Sequence, residues 1–369
     1  MLSWKNASRI SPSTPKCPEH LTPLRRFDHT PILDFPQPFT LRVERRVLHF
    51  RKPAMTSRGA LTERETYIIA AHTAEGTGYG ECCTMPGLLP APTADELTAC
   101  CAEIEQRGGL RNASLPSPIQ FGIECALLAT LRPEQPRWDT SFARGEEGIP
   151  IHHLIWMADV DSMLAAMAKG IEAGFTCLKL KVGALPFAHE LEMLRQAHLS
   201  FPQAEIRVDA NGAFTPQEAL NKLEQLAAAG VHSIEQPIRP GQWKELSELC
   251  RYTPLPIALD EELICSPSQE HMLNTIRPQA IVIKPSLHGG LMAAESWASL
   301  AEERSISWWV NSALESHTGL TALAEWCAYA APGQLQGLGT GRLFTDDEPY
   351  PVRLKGSQLY YEQATTAFV

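Results

Sequence analysis

The chain has 369 residues, a length that fits two domains or one large α/β barrel with additions. Its 44% hydrophobic fraction is that of a globular protein with a sizeable core. A net charge of −10 lacks the basic balance that nucleic-acid and anionic-membrane partners favour, and no apolar run approaches membrane-spanning length, so neither partner is expected.

Residues 1–38 are rich in Pro, Ser, Lys and Arg and have weak hydrophobic periodicity, which predicts a disordered extension. The first residues lack the apolar core of a secretory signal, and Asp28, Asp34 and the many prolines speak against a transit peptide. From 39 to 145 the pattern is that of a small α+β domain. "FTLRVERRVLHF" alternates like a strand, and "TYIIAAHTAEGTGYGE" reads as a hairpin turning near Glu75-Gly76. Two helices follow: "TADELTACCAEIEQ", capped by its Thr, and "SPIQFGIECALLATL", with Ser117 as N-cap and Pro118 in the first helical position.

From 146 to 345 short β-rich runs alternate with helical stretches. The runs are "PIHHLIWMA", "CLKLKV", "EIRVDA", "VHSIEQ", "PIALDE", "AIVIKP", "SWWVNSA" and, more weakly, "LQGLGT"; helices fit at 161–173, 187–199, 216–229 and 290–303. Roughly eight β/α repeats predict a (β/α)8-type barrel. Residues 346–369 contain "RLKGSQLYYEQ", expected as a strand returning to the first domain. The ten cysteines form no C-x-x-C; they read as buried thiols of a reducing cytoplasm, where the protein is expected to reside.

Side chains alternate along a strand, and the outer face of a parallel barrel lies under helices and must be apolar. That parity sorts the charged residues. Leu178, Leu180 and Val182 face outward, so Lys179 and Lys181 face in. By the same rule Asp209, Glu235, Asp260 and Lys284 face in, because Ile206, Val208, Ile234, Ile257, Leu259, Ile281 and Ile283 face out. Each charge stands near the C-terminal end of its strand, where barrel enzymes carry catalytic groups. K-x-K, D-E or E-Q-P alone is uninformative. Together they place three carboxylates on consecutive strands, a set that suits Mg²⁺, with lysines on the strands either side. A lysine held near another cation and shielded from water loses its proton more easily and can act as a base. The metal and the opposite lysine would stabilise the enediolate left when a carbon beside a carboxylate loses its proton. Glu261 and Glu262 read as supporting or solvent-facing residues rather than ligands, and His152 and His153 as equally consistent with the barrel floor or elsewhere. Trp308 and Trp309 read as core, with one ring outward.

The motifs "LKLKVG", "VDANGAF", "IEQP", "ALDEE", "IKPSLHGGL" and "NSALESHTGL" resemble the muconate-lactonizing-enzyme branch of the enolase superfamily. "AMTSRGALTERETYIIAA" and "GYGECCTMPGLLP" look like the two active-site loops of that branch's capping domain. The resemblance implies an enolase-like modified TIM barrel with an N-terminal α+β cap completed by the C-terminal tail. It implies Lys181 as general base and then acid, Lys284 as the opposite lysine, and Asp209, Glu235 and Asp260 as ligands of Mg²⁺, with Mn²⁺ able to substitute. Lys179, Asn211, the cap-loop residues Ser57, Arg58 and Gly59, and Ser312 and Ser316 would line the pocket of a small-molecule carboxylate. The implied reaction is dehydration of 2-succinyl-6-hydroxy-2,4-cyclohexadiene-1-carboxylate to 2-succinylbenzoate in menaquinone biosynthesis. Racemisation of N-succinylamino acids needs the same two lysines and stays open. Dipeptide epimerisation is disfavoured, because "GLGTGRLFTDD" lacks the Asp-x-Asp that would hold a substrate ammonium. A non-catalytic scaffold would have no reason to keep all five central groups. His152-His153 departs from the Asn-Gly common in relatives. A homo-oligomer is compatible with the sequence.

Overall fold

Alternating apolar and polar residues over 40–83 form a three-stranded antiparallel sheet in a computed structural model that describes residues 23–56, 59–264, 266, 268–347 and 351–363. Its strands are β1 (Thr40–Thr56), β2 (Gly59–His72) and β3 (Thr77–Cys83), in that spatial order. The β2–β3 turn closes with Thr73 N–H donating to the Gly76 carbonyl, as the hairpin pattern predicts. Helix α2 (Ala94–Arg107) is capped by the Thr93 hydroxyl, which accepts from Glu96 N–H. Helix α3 (Ser117–Thr130) begins one residue earlier than expected, with Pro116 at the N-cap. It is apolar on nearly every side because it lies between the cap sheet and barrel helices. Glycines permit this approach: a Cβ on Gly80 would stand 1.9 Å from the Gly122 carbonyl oxygen.

The barrel is built from β5 (His153–Ile155), β6 (Cys177–Lys181), β7 (Glu205–Asp209), β8 (Ser233–Glu235), β9 (Ile257–Leu259), β10 (Ala280–Ile283) and β11 (Ser307–Val310), parallel and neighbouring in chain order. Between them run α4 (Val160–Glu172), α5 (Phe187–Ser200), α6 (Pro216–Ala228), α7 (Trp243–Tyr252), α8 (Gln269–Ile276) and α9 (Gly290–Glu302), and α10 (His317–Ala330) follows β11. The expected eighth strand is reduced to two parallel bridges, Ile151 with Gln336 and Asn311 with Gly337. These still close the barrel: His152 N–H donates to Gln336 O, and Ser312 N–H to Gly337 O. Parity holds. Leu178, Leu180, Val208 and Ile234 are buried beneath the helices, and Ala258, Ala280, Val282 and Trp309 form a separate plug inside. Trp308 packs outward towards Trp326, and Trp309 points inward beneath the Arg207 guanidinium, 4.3 Å from the ring centre.

Two boundary expectations are corrected. Residues 23–38, assigned to a disordered extension, pack onto the molecule; residues 1–22 lie outside the described part. Phe27, Ile32 and Phe35 are buried, the last two around a short helix α1 (Thr30–Leu33). Phe27 N–H donates to Glu295 and Leu24 N–H to Glu302, while Leu110 N–H donates to Ile32 O, so the segment straps barrel helix α9 to the cap. The C-terminal hairpin, β12 (Val352–Lys355) and β13 (Gln358–Tyr361), pairs with β4 (Ile149–Pro150), just ahead of the first barrel strand in the chain, rather than with the cap sheet. The cap is contacted just before it, where Arg51 N–H donates to Leu343 O and Thr345 N–H to His49 O, and from β13 itself, where the Tyr361 ring stands 5.9 Å from that of Phe142. No helix among the described residues is long and apolar enough to cross a membrane.

Candidate active site

A cavity of about 290 Å³ opens at the C-terminal end of the barrel strands, beneath the cap. Three consecutive strands bring carboxylates together at this end of the barrel: Asp209, which lines the cavity, ends β7, Glu235 ends β8 and Asp260 follows β9. All three are buried, and one oxygen of each lies within 4.8 Å of the others. Lysines neutralise them pairwise. Lys179 Nζ donates to both oxygens of Glu235 at 2.7 and 2.6 Å, and Lys181 Nζ lies 3.3 Å from Asp209 Oδ2. Lys284, which follows β10, donates to Asp260 Oδ2.

This packing of charge shifts protonation strongly. Burial alone would raise Asp209, but Lys181, Lys179 and Lys284 outweigh it and hold the carboxyl far below the usual range. Glu235 and Asp260 are pushed up, by burial first and then by neighbouring carboxylates, against the pull of the lysines. Burial would lower Lys284, and Asp260 more than reverses that. The donor set is all carboxylate oxygen, the chemistry of a hard divalent cation. Asp260 Oδ1 is buried without a hydrogen-bond partner, an orphaned acceptor such a cation would satisfy. The residues therefore fit a divalent metal.

The other expected residues divide. Lys179, Asn211 and Ser312 line the cavity. Asn211 sits between the charges: its Oδ1 accepts from Lys181 Nζ at 2.6 Å and its Nδ2 donates to Glu261 at 2.9 Å. Ser312 Oγ donates to Glu315 and accepts from Leu314 N–H and Thr340 Oγ1, so its proton is committed to the wall. Ser316 is corrected: it lies outside the cavity lining, caps α10 and donates to Glu81 of β3, because the helix N-terminus needs that acceptor. Ser57 and Arg58 lie outside the described residues, and Gly59 starts β2 in an exposed position away from the lining.

Several further groups at the site are not singled out by the sequence. Met85, Pro86, Gly87 and Leu88 bring the second cap loop over the cavity, and Leu61, Trp156 and Leu314 add an apolar wall. The loop was legible as a motif, but not its individual contacts. Of the two histidines, His152 lines the cavity and His153 turns outward onto Phe175. Burial, then Lys179 and Arg207, hold His152 well below its ordinary pKa, so it is neutral. A Cβ on Gly337 would stand 1.8 Å from Asn311 Oδ1 and 2.7 Å from His152 Cε1, so only glycine leaves room for both. Buried glutamates clamp the surrounding loops. Glu190 accepts from Gly183, Ala184 and Leu185 N–H behind Lys181. Glu262 holds Gly241 and Trp243, and Glu124 reaches from the cap to the N-terminus of α9.

A parallel barrel carrying lysines on its second and sixth strands and carboxylates on the third, fourth and fifth defines an enolase-type catalytic domain. Residues 162–357 match the family model Enolase C-terminal domain-like, and the chain belongs to that family. It is 39% identical over 360 residues to the o-succinylbenzoate synthase of Desulfotalea psychrophila, across 86% of this chain and 98% of the relative. The crystal structure of MenC from Desulfotalea psychrophila LSv54 superposes with a TM-score of 0.75 at 35% identity, covering 87% of this chain and 99% of that one. An N-succinylamino acid racemase of Amycolatopsis is 26% identical over 334 residues, covering 83% of this chain and 88% of the relative.

Proposed function

We propose that the chain is an o-succinylbenzoate synthase, a hydro-lyase that removes water from 2-succinyl-6-hydroxy-2,4-cyclohexadiene-1-carboxylate to give 2-succinylbenzoate for menaquinone biosynthesis. The observation that carries this reading is the 39% identity across 98% of the Desulfotalea relative. The charged site supports it. Asp209, Glu235 and Asp260 would hold Mg²⁺, or Mn²⁺ in its place. When bound, the cation neutralises the charge that gathers on the substrate carboxylate as the adjacent carbon loses its proton.

The chain's own groups do the rest. Lys181 Nζ, in its neutral form, takes the proton from the ring carbon beside the carboxylate. The resulting ammonium gives that proton to the hydroxyl on the neighbouring carbon, the C–O bond breaks, and water leaves from the same face. Lys284, on the opposite side, stays positively charged through its contact with Asp260 and stabilises the developing enediolate. Asn211 fixes the direction of Lys181. The apolar wall of Leu61, Trp156, Leu314 and the 85–88 loop accepts the ring and excludes water, which strengthens each charge interaction. We place the enzyme in the cytoplasm with the small-molecule carboxylate as its partner, and a homo-oligomer fits this reading.

Racemisation of N-succinylamino acids is the second reading, favoured by the Amycolatopsis relative. Dipeptide epimerisation is not, since the eighth-strand region lines the cavity with Gly337, Gly339 and Thr340 and no carboxylate. Comparison of kcat/KM for the cyclohexadiene with that for racemisation of an N-succinylamino acid tests the choice. A higher value for the cyclohexadiene supports the synthase, and a higher value for racemisation overturns it.

A further inference from the structure

We propose that Glu261 is a positioning residue for Lys181, acting through Asn211; the inference rests on the functional reading above, in which Lys181 moves the proton. The three side chains form a directed chain. Lys181 Nζ donates to Asn211 Oδ1 at 2.6 Å, and Asn211 Nδ2 donates to Glu261 Oε1 at 2.9 Å. A carboxylate only accepts. It can therefore face the NH₂ of Asn211 and never the carbonyl, and the carbonyl is left turned to the lysine. Without Glu261 the amide could rotate and present its NH₂ to Nζ, which sets donor against donor in the ammonium form and turns the lone pair of the neutral amine towards the amide instead of the substrate.

The middle and the far end of this chain are held separately. Asn211 has a left-handed backbone (φ 43°), and its own N–H donates to Asp209 Oδ1 at 3.0 Å. Glu261 opens the short 3₁₀ turn Glu261–Leu263 after β9, and the next residue, Glu262, anchors that turn to Gly241 N–H and the Trp243 indole. Glu261 is buried, and its carboxylate is not one of the three that converge as a metal site. It lines the same cavity as Lys181. Its role is thus neither ligand nor solvated surface: it sets which way the Asn211 amide points, and so where Nζ stands relative to the substrate proton. A reacting group displaced by about 1 Å loses on the order of 100-fold in rate.

The test is a double-mutant cycle in the full chain with saturating Mg²⁺. Glu261→Ala is expected to lower kcat about 10-fold to 100-fold with KM nearly unchanged. Glu261→Gln, which keeps an acceptor oxygen, should recover most of the loss. Asn211→Ala should be as slow as Glu261→Ala, and the double variant no slower than Asn211→Ala. Calorimetric Mg²⁺ affinity and melting temperature should match the wild type in Glu261→Gln and Glu261→Ala. A wild-type kcat in Glu261→Ala overturns the proposal, as do losses that multiply in the double variant. A calorimetric Mg²⁺ affinity clearly weakened in Glu261→Ala overturns it too, since Glu261 would then serve the neighbouring Asp260. Exchange of the α-proton of an N-succinylamino acid in D₂O is followed in the same variants. If the wild type exchanges but does not dehydrate the cyclohexadiene, the synthase reading fails alone and the cycle is read from exchange. If it does neither, Lys181 is not a base and the relay falls with it.

Discussion

Glu124 stands in a largely apolar cap helix, fully buried, and burial pushes its carboxyl up to about 7 from an ordinary 4.5. Its oxygens accept from Gln120 Nε2 and from the N–H groups of Leu291 and Met292 at the start of α9, which restrain the rise without cancelling it. The folded carboxyl keeps its proton to higher pH than the unfolded one. Between about pH 4.5 and 7 the folded state therefore binds more protons, and stability falls as pH rises. At about 1.4 kcal/mol per pH unit across that gap, ionised Glu124 costs about 3 kcal/mol above pH 7. Glu124→Gln removes this titration and keeps an acceptor for α9, and the Gln120 amide can rotate to suit. Urea unfolding of both proteins at about pH 4.5 and pH 8 isolates the group, because other titrations cancel in the difference. The variant should gain about 3 kcal/mol on the wild type over that interval. A difference that stays constant with pH refutes the reasoning.

Lys181→Ala should abolish dehydration while leaving the melting temperature and Mg²⁺ binding close to wild type; wild-type-like turnover in that variant would remove Lys181 from its role. Asp209→Asn or Glu235→Gln should weaken Mg²⁺ binding about 10-fold to 100-fold by calorimetry, and an unchanged affinity would contradict the ligand assignment. Ile32→Ala, in the strap at the start of the described chain, should cost about 2–5 kcal/mol on urea unfolding because its side chain is completely buried. No loss would show that residues 23–38 do not pack as described.

The catalytic end of the barrel was legible because strand parity is a local rule. Once Leu178 and Leu180 must lie under helices, Lys179 and Lys181 have one direction left, and the same holds for Asp209 beside Val208. The helices α4, α5, α6 and α9 likewise lie within one residue of their periodic patterns. What escaped depends on partners remote in sequence. Phe27 and His29 look like members of a polar extension until Glu295, more than 260 residues away, supplies their acceptors. The terminal hairpin reads as a strand, but nothing in "QLYY" names Ile149–Pro150 as its neighbour. Ser316 sits in a motif shared with the site, yet its hydroxyl is claimed by Glu81 on another domain. An acid in the middle of "FGIECALLAT" was the available signal for Glu124: a charge on an apolar helix requires a buried partner.

The most direct test of the whole account is the ultraviolet absorbance of the cyclohexadiene substrate mixed with the purified chain, with Mg²⁺ and with a chelator. Aromatisation changes the spectrum without any coupled reagent. Rapid conversion to 2-succinylbenzoate is expected with Mg²⁺ and none with the chelator. A chain that binds Mg²⁺ and leaves the diene unchanged would contradict it.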